Sequence, residues 1–289
     1  MTAESLLSRL RFSPLMVRIA SGAAFLLVFL GLVLVGLPGV VVLAVVVGSL
    51  ALWEFRGLSD KMDYRAPSWL LYPLGLILML YGSFLHRLHW FDLSFVLSVA
   101  LMGGLMAFLF IPGRRQGLGR WAMGMAGALY IGMPFNYYLL LYTSRAHPSG
   151  LAWMVFTILA AVVSDVAALL VGSRLGRTPW FPNISPKKTL EGAVGGVVGA
   201  VLTMLLGALI SLDIPIWHAL ALGLLIGFAA EAGDLVESQM KRIAEVKDSS
   251  NLIPGHGGVL DRLDSVLFPP IVVFYYATWL GLIHSALPF

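Results

Sequence analysis

Apolar residues follow one another along this chain in long runs, and polar residues collect between the runs. Runs bounded by charge, Pro or Gly lie at about 17–37, 39–58, 68–85, 93–111, 121–142, 151–172, 190–212, 215–236 and 266–286. A helix of roughly 20 apolar residues crosses a hydrocarbon core of about 30 Å. The pattern predicts an all-α polytopic integral membrane protein with about nine transmembrane helices.

Composition excludes a soluble globular protein. Hydrophobic residues make up 59% of the 289 residues, charged residues only 12%, and the mean hydropathy is +0.89. A typical soluble chain carries about 25% charged residues. The chain has no cysteine, which excludes disulfide scaffolds, cysteine-ligated metals and thiol catalysis.

The positions of the basic residues predict an orientation. With the N-terminus in the cytoplasm and nine alternating spans, seventeen of the nineteen Lys and Arg residues fall on the cytoplasmic side, and only Arg87 and Arg145 fall outside. Cytoplasmic loops of membrane proteins carry such an excess of basic residues. We therefore expect an integral membrane protein with a cytoplasmic N-terminus.

Two connections, 173–189 and 237–265, are much longer and more polar than the others. Long loops in compact proteins are usually functional or disordered. Both fall on the predicted cytoplasmic side, so we expect the active site at that interface. This divides the chain into an N-terminal membrane region, 1–150, with about five spans, and a C-terminal catalytic region, 151–289, with about four.

Acidic residues crowd the end of the eighth predicted span. Glu231, Asp234, Ser238 and Lys241 share one helical face, and Glu237 lies beside them. Carboxylates inside apolar spans are energetically costly and are retained mostly for function. The alternative is that they extend to the interface, with Lys241 as their partner.

A glycine-rich turn, Gly255-His256-Gly257-Gly258, precedes Asp261, Arg262 and Asp264. Glycines allow backbone N–H groups to approach a phosphate closely. Asp261 and Asp264 face the same way and, with Asp234, form a candidate site for a hard cation. Oxygen ligands favour Mg²⁺, which usually shares its site with substrate phosphates.

The first long loop ends in Ser185-Pro-Lys187-Lys188-Thr189 at the start of the seventh span. Basic residues beside a helix N-terminus suit a phosphate, although an ordinary positive-inside anchor has the same composition. Asp165 is either a helix–helix hydrogen-bonding residue or a partner of the basic loops. Glu54 is either structural or part of the polar floor.

The run from Ser238 to Asp264 resembles the phosphatidate cytidylyltransferase (CDP-diacylglycerol synthase) family. The shared elements are Ser238, Met240, Lys241-Arg242, Lys247-Asp248, Ser250, Ile253-Pro254, His256-Gly257-Gly258, Val259 and Asp261-Arg262-Leu263-Asp264. Residues from Asp165 to Gly192 are similar to the family's Asp-containing span and Ser-Pro-Lys-Lys-Thr loop. Leu169 and Leu190 stand where the family commonly has Tyr and Trp, and Glu245 and Ser250 where it often has Gly.

The resemblance implies that CTP and phosphatidic acid are converted to CDP-diacylglycerol and pyrophosphate, with Mg²⁺ and a possible second cation. It implies a homodimer in the bacterial cytoplasmic (inner) membrane, with the active site facing the cytoplasm, and no nucleic-acid partner. The metal ligands would be Asp234, Asp261, Asp264 and Glu237, and the catalytic residues Asp234, Asp261, Lys241 and Arg262. Substrate would be bound by Ser185, Lys187, Lys188, Thr189, Ser238, Arg242, Lys247, Asp248, His256, Gly257 and Gly258, with Asp165, Glu191 and Glu231 in support.

Two other functions have some of these features. A lipid or polyprenol kinase also transfers a phosphoryl group at a membrane interface. It would not be expected to carry the whole Lys-Asp, His-Gly-Gly and Asp-Arg-Leu-Asp series. A secondary transporter has intramembrane carboxylates, but these would lie near the bilayer midplane and on paired repeats, and no repeat is visible here.

Overall fold

The computed structural model describes residues 14–82, 84–85, 92–108, 114–144, 150–253 and 257–284. These residues are mainly helical. The helices are α1 (Pro14–Leu34), α2 (Leu37–Lys61), α3 (Ser68–Tyr81), α4 (Leu93–Phe108), α5 (Arg114–Thr143), α6 (Gly150–Leu175), α7 (Leu190–Gly207, continued by a π-helical turn over Ala208–Leu212), α8 (Ile216–Ile243), α9 (Leu260–Leu263) and α10 (Pro269–Trp279).

Four of the helices in the described part of the chain are long and apolar enough to cross a membrane. They are Leu37–Lys61, Gly150–Leu175, Leu190–Leu212 and Ile216–Ile243, whereas Gly22–Leu34, Ser68–Tyr81 and Leu93–Ala107 are shorter apolar helices. An integral membrane protein built from helices is therefore supported. The count of nine spans and the cytoplasmic N-terminus stay predictions.

Three helix boundaries differ by seven residues from those predicted. Helix α5 begins at Arg114 rather than at 121. The eighth predicted span ends at 236, but α8 continues to Ile243, so the first residues of the predicted loop 237–265 are helical. The last predicted span, 266–286, contains a helix of only 11 residues. Pro269 and Pro270 have no N–H to donate within a helix, and α10 therefore begins at these prolines rather than continuing from α9.

The loop 173–189 contains the two short strands of the described residues, which an all-helical prediction omits. Strand β1 (Pro179–Phe181) pairs antiparallel with β2 (Ser185–Thr189). Glu191 holds the base of this hairpin, because its carboxylate accepts hydrogen bonds from the backbone N–H groups of Arg177 and Thr178 and from the Thr178 hydroxyl. The hairpin therefore has a defined position against the membrane helices.

Small residues allow α6, α7 and α8 to pack closely. A Cβ added to Gly199 of α7 would contact Ala167 of α6, and one added to Gly223 of α8 would contact the Val201 backbone of α7. Close approach through small residues is typical of helices packed in a membrane. The three helices form the frame from which the acidic side chains project.

The N-terminal and C-terminal regions share one hydrophobic core. The Tyr138 hydroxyl of α5 donates a hydrogen bond to the Val266 carbonyl at 2.7 Å. The hydroxyls of Tyr137 and Tyr275 lie 2.7 Å apart. Helix α5 is thereby attached to the segment that follows the glycine turn, so the N-terminal region supports the candidate site directly.

Candidate active site

Helix α8 carries three acidic residues in its last turns before the loop. Glu231 is 6% exposed and Glu237 is fully buried, while Asp234 is partly exposed. A buried carboxylate needs a paired cation or several hydrogen bonds. The structure places one lysine against each part of this acidic stretch: Lys188 from the hairpin, and Lys241 from the last turn of α8 itself.

Lys188 forms the first network. Its Nζ lies 2.7 Å from Glu231 Oε2 and 2.8 Å from Asp234 Oδ2, and Ser238 Oγ donates to Asp234 Oδ1 at 3.1 Å. Side chains alternate along a strand, so Lys188 of β2 points towards α8 while Lys187 is exposed. Burial alone would lower the pKa of Lys188, but the carboxylates of Asp234 and Glu231 outweigh burial and raise it above its ordinary value.

Lys241 forms the second network. It is paired with Glu237 one turn away, and its Nζ lies 2.8 Å from Asp261 Oδ1. Asp261 Oδ2 accepts three further hydrogen bonds of 2.8 Å, from the N–H and hydroxyl of Ser249 and from the N–H of Gly258. Burial raises the pKa of Asp261, but the bonds from Lys241, Gly258 and Ser249 outweigh it and hold the pKa at about 2.

The glycine turn closes against these carboxylates. Gly257 has a φ of +81°, which favours glycine, and the Ile253 N–H donates to its carbonyl at 2.8 Å. A Cβ on Gly258 would overlap the Ser249 hydroxyl and the Glu54 carboxylate. His256, predicted to position phosphate, lies outside the described residues.

Glu54 of α2 anchors the same loop from the N-terminal region. It is 1% exposed. It accepts hydrogen bonds from the Ser249 and Ser250 hydroxyls at 3.1 and 2.6 Å and from the backbone N–H groups of Val259 and Leu260 at 2.9 and 2.6 Å. Of the two interpretations of Glu54, the hydrogen bonds favour the structural one. Glu54 holds the segment 249–261, which ends at Asp261 and which we call the active-site loop.

Asp264 and Asp165 extend the acidic cluster. The pKa of Asp264 is raised to about 7, first by burial and then by the negative charges of Asp234 and Asp165. The hydrogen bond from the Ser265 N–H and the charge of Lys241 oppose this increase. Asp165 of α6 interacts electrostatically with Asp234 and Lys188. Asp165 is therefore placed beside the basic loop, as one of its two readings expected.

Six carboxylates belong to this cluster, and they outnumber its basic partners. The acids are Asp165, Glu231, Asp234, Glu237, Asp261 and Asp264, and the bases are Lys188, Lys241 and Arg262. Crowded carboxylates repel one another unless a cation joins them. The excess of carboxylates therefore suits a bound metal cation, and the two lysines and the arginine suit a phosphate substrate.

The other predicted site residues belong to the hairpin, to the end of α8 and to the segment that follows α8. Arg242 Nε donates to the Ile184 carbonyl at 3.0 Å and ties α8 to the hairpin. The Thr189 hydroxyl accepts the Gly192 N–H and caps α7. Ser185 lies in β2, and Lys187, Lys247, Asp248 and Arg262 are exposed.

The donor chemistry fits Mg²⁺, although no group of three acidic or histidine side chains in the described ranges is already arranged to hold a metal. Mg²⁺ usually takes one or two protein carboxylates and completes its shell with water and substrate phosphates. Glu237 is paired with Lys241, and Asp261 is occupied by Lys241, Ser249 and Gly258. Asp234 is also bonded, to Lys188 and Ser238, but Asp234 and Asp264 are partly exposed, whereas Glu237 and Asp261 are buried. Exposure to solvent and substrate therefore favours Asp234 and Asp264 as metal ligands.

Sequence reasoning did not assign Glu54, Ser249 and Ser250 to the site. Glu54 is about 195 residues away from Ser249 and Ser250 along the chain. A contact over such a separation cannot be predicted from the local spacing of residues. The available signal was a carboxylate at the end of an apolar span, which is rarely retained without a partner. Ser250 also stands where the family often has Gly, and its hydroxyl is bonded to Glu54.

The chain is similar to known proteins over most of its length. The model of the Cytidylyltransferase family matches residues 16–280. A phosphatidate cytidylyltransferase of Bacillus subtilis is 33% identical over 264 residues, covering 90% of this chain and 95% of the relative. One from Synechocystis is 47% identical over 135 residues, covering 46% and 45%. One from Staphylococcus saprophyticus is 29% identical over 257 residues, covering 87% and 95%. The predicted family is confirmed, and the chain belongs to the cytidylyltransferase family of nucleotidyltransferase enzymes.

Proposed function

We propose that this protein transfers the cytidylyl group of CTP to phosphatidic acid, producing CDP-diacylglycerol and pyrophosphate. The observation that carries the proposal is the pair of lysine–carboxylate networks at the end of α8, in a chain of the cytidylyltransferase family. Both substrates are phosphates, one soluble and one held in the bilayer. A cluster of acids and bases at the end of membrane helices can meet both.

The reaction is an exchange at the α-phosphorus of CTP. An oxygen of the lipid phosphate forms a bond to this phosphorus, and the bond from the phosphorus to the oxygen bridging towards the β-phosphate breaks. Pyrophosphate carries away the electron pair. A phosphate monoester has a second pKa of about 6, so the nucleophile is largely ionised at neutral pH. Catalysis therefore depends on the alignment of the substrates and the neutralisation of their charge rather than on a general base.

The buried and exposed bases have different roles in this proposal. Lys188 and Lys241 are held by carboxylates, and they fix the positions of Asp234 and Asp261. Lys187 and Lys247 are exposed, and within the described residues they form no ion pair. These two would neutralise the triphosphate, with Arg242 and Arg262 nearby. Ser185, Thr189 and the Gly257-Gly258 turn would position phosphates.

Mg²⁺ would be held by Asp234 and Asp264, with Asp261 and Glu237 supporting them. An ion held by these carboxylates would neutralise charge on the phosphates and on the pyrophosphate leaving group. Asp264 accepts a hydrogen bond from the Ser265 N–H, which fixes one carboxylate oxygen. Asp165 and Glu231 orient the neighbouring charged groups.

The membrane setting belongs to the same proposal. The seventeen basic residues on one side of the predicted topology support nine spans, a cytoplasmic N-terminus and an active site that faces the cytoplasm of a bacterial cell. The family resemblance supports a homodimer. Labelling of introduced cysteines in intact cells tests the orientation, and the mass of the protein in detergent tests the dimer.

Pyrophosphate release by the purified chain in mixed micelles with CTP, Mg²⁺ and phosphatidic acid tests the reaction. Asp234→Asn and Asp264→Asn should each lower kcat/KM by at least about a hundredfold, while Asp213→Asn, exposed between α7 and α8, should match the wild type. Each variant is checked by thermal unfolding. Release that needs neither lipid nor Mg²⁺ would contradict the proposal, and turnover of ATP with a lipid alcohol instead would indicate a kinase.

A further inference from the structure

A second polar cavity lies in the N-terminal region, outside the candidate active site. It has a volume of about 370 Å³. It is formed where the end of α2 and the beginnings of α3 and α5 meet α4. The residues that give it chemical character are Arg56, Asp60, Arg65, Trp69, Arg120 and Trp121. Three guanidinium groups and one carboxylate leave the cavity with an excess of positive charge.

Two hydrogen-bond donors of this cavity are buried without a partner. The Nε–H of Arg120 and the indole N–H of Trp121 have no hydrogen-bond acceptor among the described residues. Arg65 is only loosely paired, since its Nε lies 3.6 Å from Asp60 Oδ2 in an exposed ion pair. A buried donor without an acceptor is costly, and both donors belong to side chains that line the cavity.

The beginning of α3 adds a second indication of an anion site. The N-cap Pro67 provides no side-chain hydrogen bond, and Ser68 and Trp69 at the first turn line the cavity. The first N–H groups of a helix have no partners within it and carry partial positive charge. Helix α3 has 14 residues, so this end of the cavity favours an anion.

The position of the cavity favours a lipid as the source of the anion. It adjoins the C-terminal part of α2, a candidate membrane span. The side chains of Trp53 and Trp69 are 53% and 49% exposed there, and exposed tryptophans are typical of the membrane–water interface. Basic pockets between membrane helices on the cytoplasmic side bind anionic headgroups.

We propose that this cavity binds the phosphate of an anionic phospholipid headgroup, at a site separate from the one that carries the chemistry. Arg56, Arg65 and Arg120 surround the phosphate, and the indole N–H of Trp121 donates to one of its oxygens. Arg56 lies on α2 two residues after Glu54, which supports the active-site loop. The C-terminal part of α2 therefore contributes Arg56 to the headgroup site and Glu54 to the support of the active site.

Binding can be measured without turnover, by native mass spectrometry of the full chain in neutral detergent. The probes are phosphatidylglycerol, phosphatidylcholine, inorganic phosphate and CTP. The test variant is Arg65→Gln combined with Arg120→Gln. The control is Lys61→Gln combined with Arg174→Gln, which removes the same charge from exposed residues that do not line the cavity. Thermal unfolding of each protein verifies its fold.

We expect phosphatidylglycerol to bind more tightly than phosphatidylcholine, and the test variant to bind phosphatidylglycerol about 25-fold more weakly, from roughly fivefold for each arginine. The control should change by less than about threefold. Trp121→Phe, which removes the indole N–H together with part of the aromatic surface, should weaken the binding of phosphatidylglycerol more than the binding of phosphatidylcholine.

Equal losses in the test and control variants would overturn the proposal, and so would equal binding of the two lipids. If the test variant lost affinity for CTP or inorganic phosphate but kept its affinity for phosphatidylglycerol, the cavity would be a site for a soluble phosphate instead. Phosphatidylglycerol is not a substrate of the proposed reaction, so the result is independent of whether that reaction is correct.

Discussion

Replacing Glu54 with glutamine removes one acceptor from the support of the active-site loop while keeping the size of the side chain. Oε1 accepts bonds from the Ser250 hydroxyl and the Val259 N–H, and Oε2 from the Ser249 hydroxyl and the Leu260 N–H. An amide has one accepting oxygen. In either orientation of the amide, therefore, one buried backbone N–H loses its acceptor. The Ser250 hydroxyl loses its acceptor in one orientation only, and the Ser249 hydroxyl keeps Asp261 Oδ2 at 2.8 Å in both.

The size of the effect follows from these four hydrogen bonds. A buried donor left without an acceptor costs about 1–3 kcal/mol, and hydrogen bonds to charged groups contribute about 1.5–3 kcal/mol. The hydroxyl can rotate to another acceptor, so the backbone N–H dominates the loss. We expect Glu54→Gln to destabilise the closed loop by about 3 kcal/mol, which is roughly a hundredfold change in its opening equilibrium.

Hydrogen exchange detected by mass spectrometry measures this opening directly. Peptides that contain Val259 and Leu260 should lose roughly a hundredfold of protection, while peptides from α6 and α7 keep theirs. Cytidylyl transfer should fall in parallel, because Asp261 is positioned by the same loop. Asp63→Asn is the matched control. It removes one carboxylate from an exposed residue with a φ of 66°, a conformation that asparagine tolerates.

Unchanged protection at Val259 and Leu260 in a folded Glu54→Gln protein would refute the reasoning. It would mean that the loop is held by its own contacts and that the bonds from α2 add nothing. Loss of protection across α6 and α7 as well would indicate global unfolding. In that case Glu54 would support the fold as a whole rather than the loop.

Three further substitutions test the site. Lys188→Met should lower stability by about 3 kcal/mol, because it leaves buried carboxylates unpaired, and should reduce transfer, whereas Lys187→Met should leave stability within about 0.5 kcal/mol. Glu245→Gly should raise the free energy of unfolding by up to about 1 kcal/mol, since Glu245 has a φ of 54°. Gly258→Ala should abolish transfer, because the added methyl group would overlap the Ser249 hydroxyl and the Glu54 carboxylate. The control Gly57→Ala, which has no atom within 4 Å of the added Cβ, should stabilise α2 slightly. Stability is measured by thermal unfolding in detergent and transfer by pyrophosphate release.

Each of these predictions has an opposing result. Equal stability of Lys188→Met and Lys187→Met would show that the Lys188 pairs are weak. A lower melting temperature for Glu245→Gly would mean that the flexibility of glycine in the unfolded chain outweighs the strain. Normal transfer by Gly258→Ala would show that the turn can move without harm to the active site.

The family could be predicted from the sequence because its motif is local. The spacing of Ser238, Lys241, Lys247 and Asp261 along the chain is itself the pattern, and the comparisons confirm the family that it indicates. The helical membrane architecture was equally readable, since long apolar runs have few alternatives in a bilayer. The short hairpin was not, because its strands of three and five residues are too brief for a periodic signal.

The sequence alone determined which residue types were available for chemistry and on which segments they lie. The tertiary structure decided how they are paired: Lys188 with Glu231 and Asp234, and Lys241 with Glu237 and Asp261. It also placed Glu54 under the active-site loop, across a separation of 205 residues from Val259. Local spacing reports which side chains share a face of one helix. Contacts between distant segments depend on how the helices pack, and this information is contained only in the folded chain.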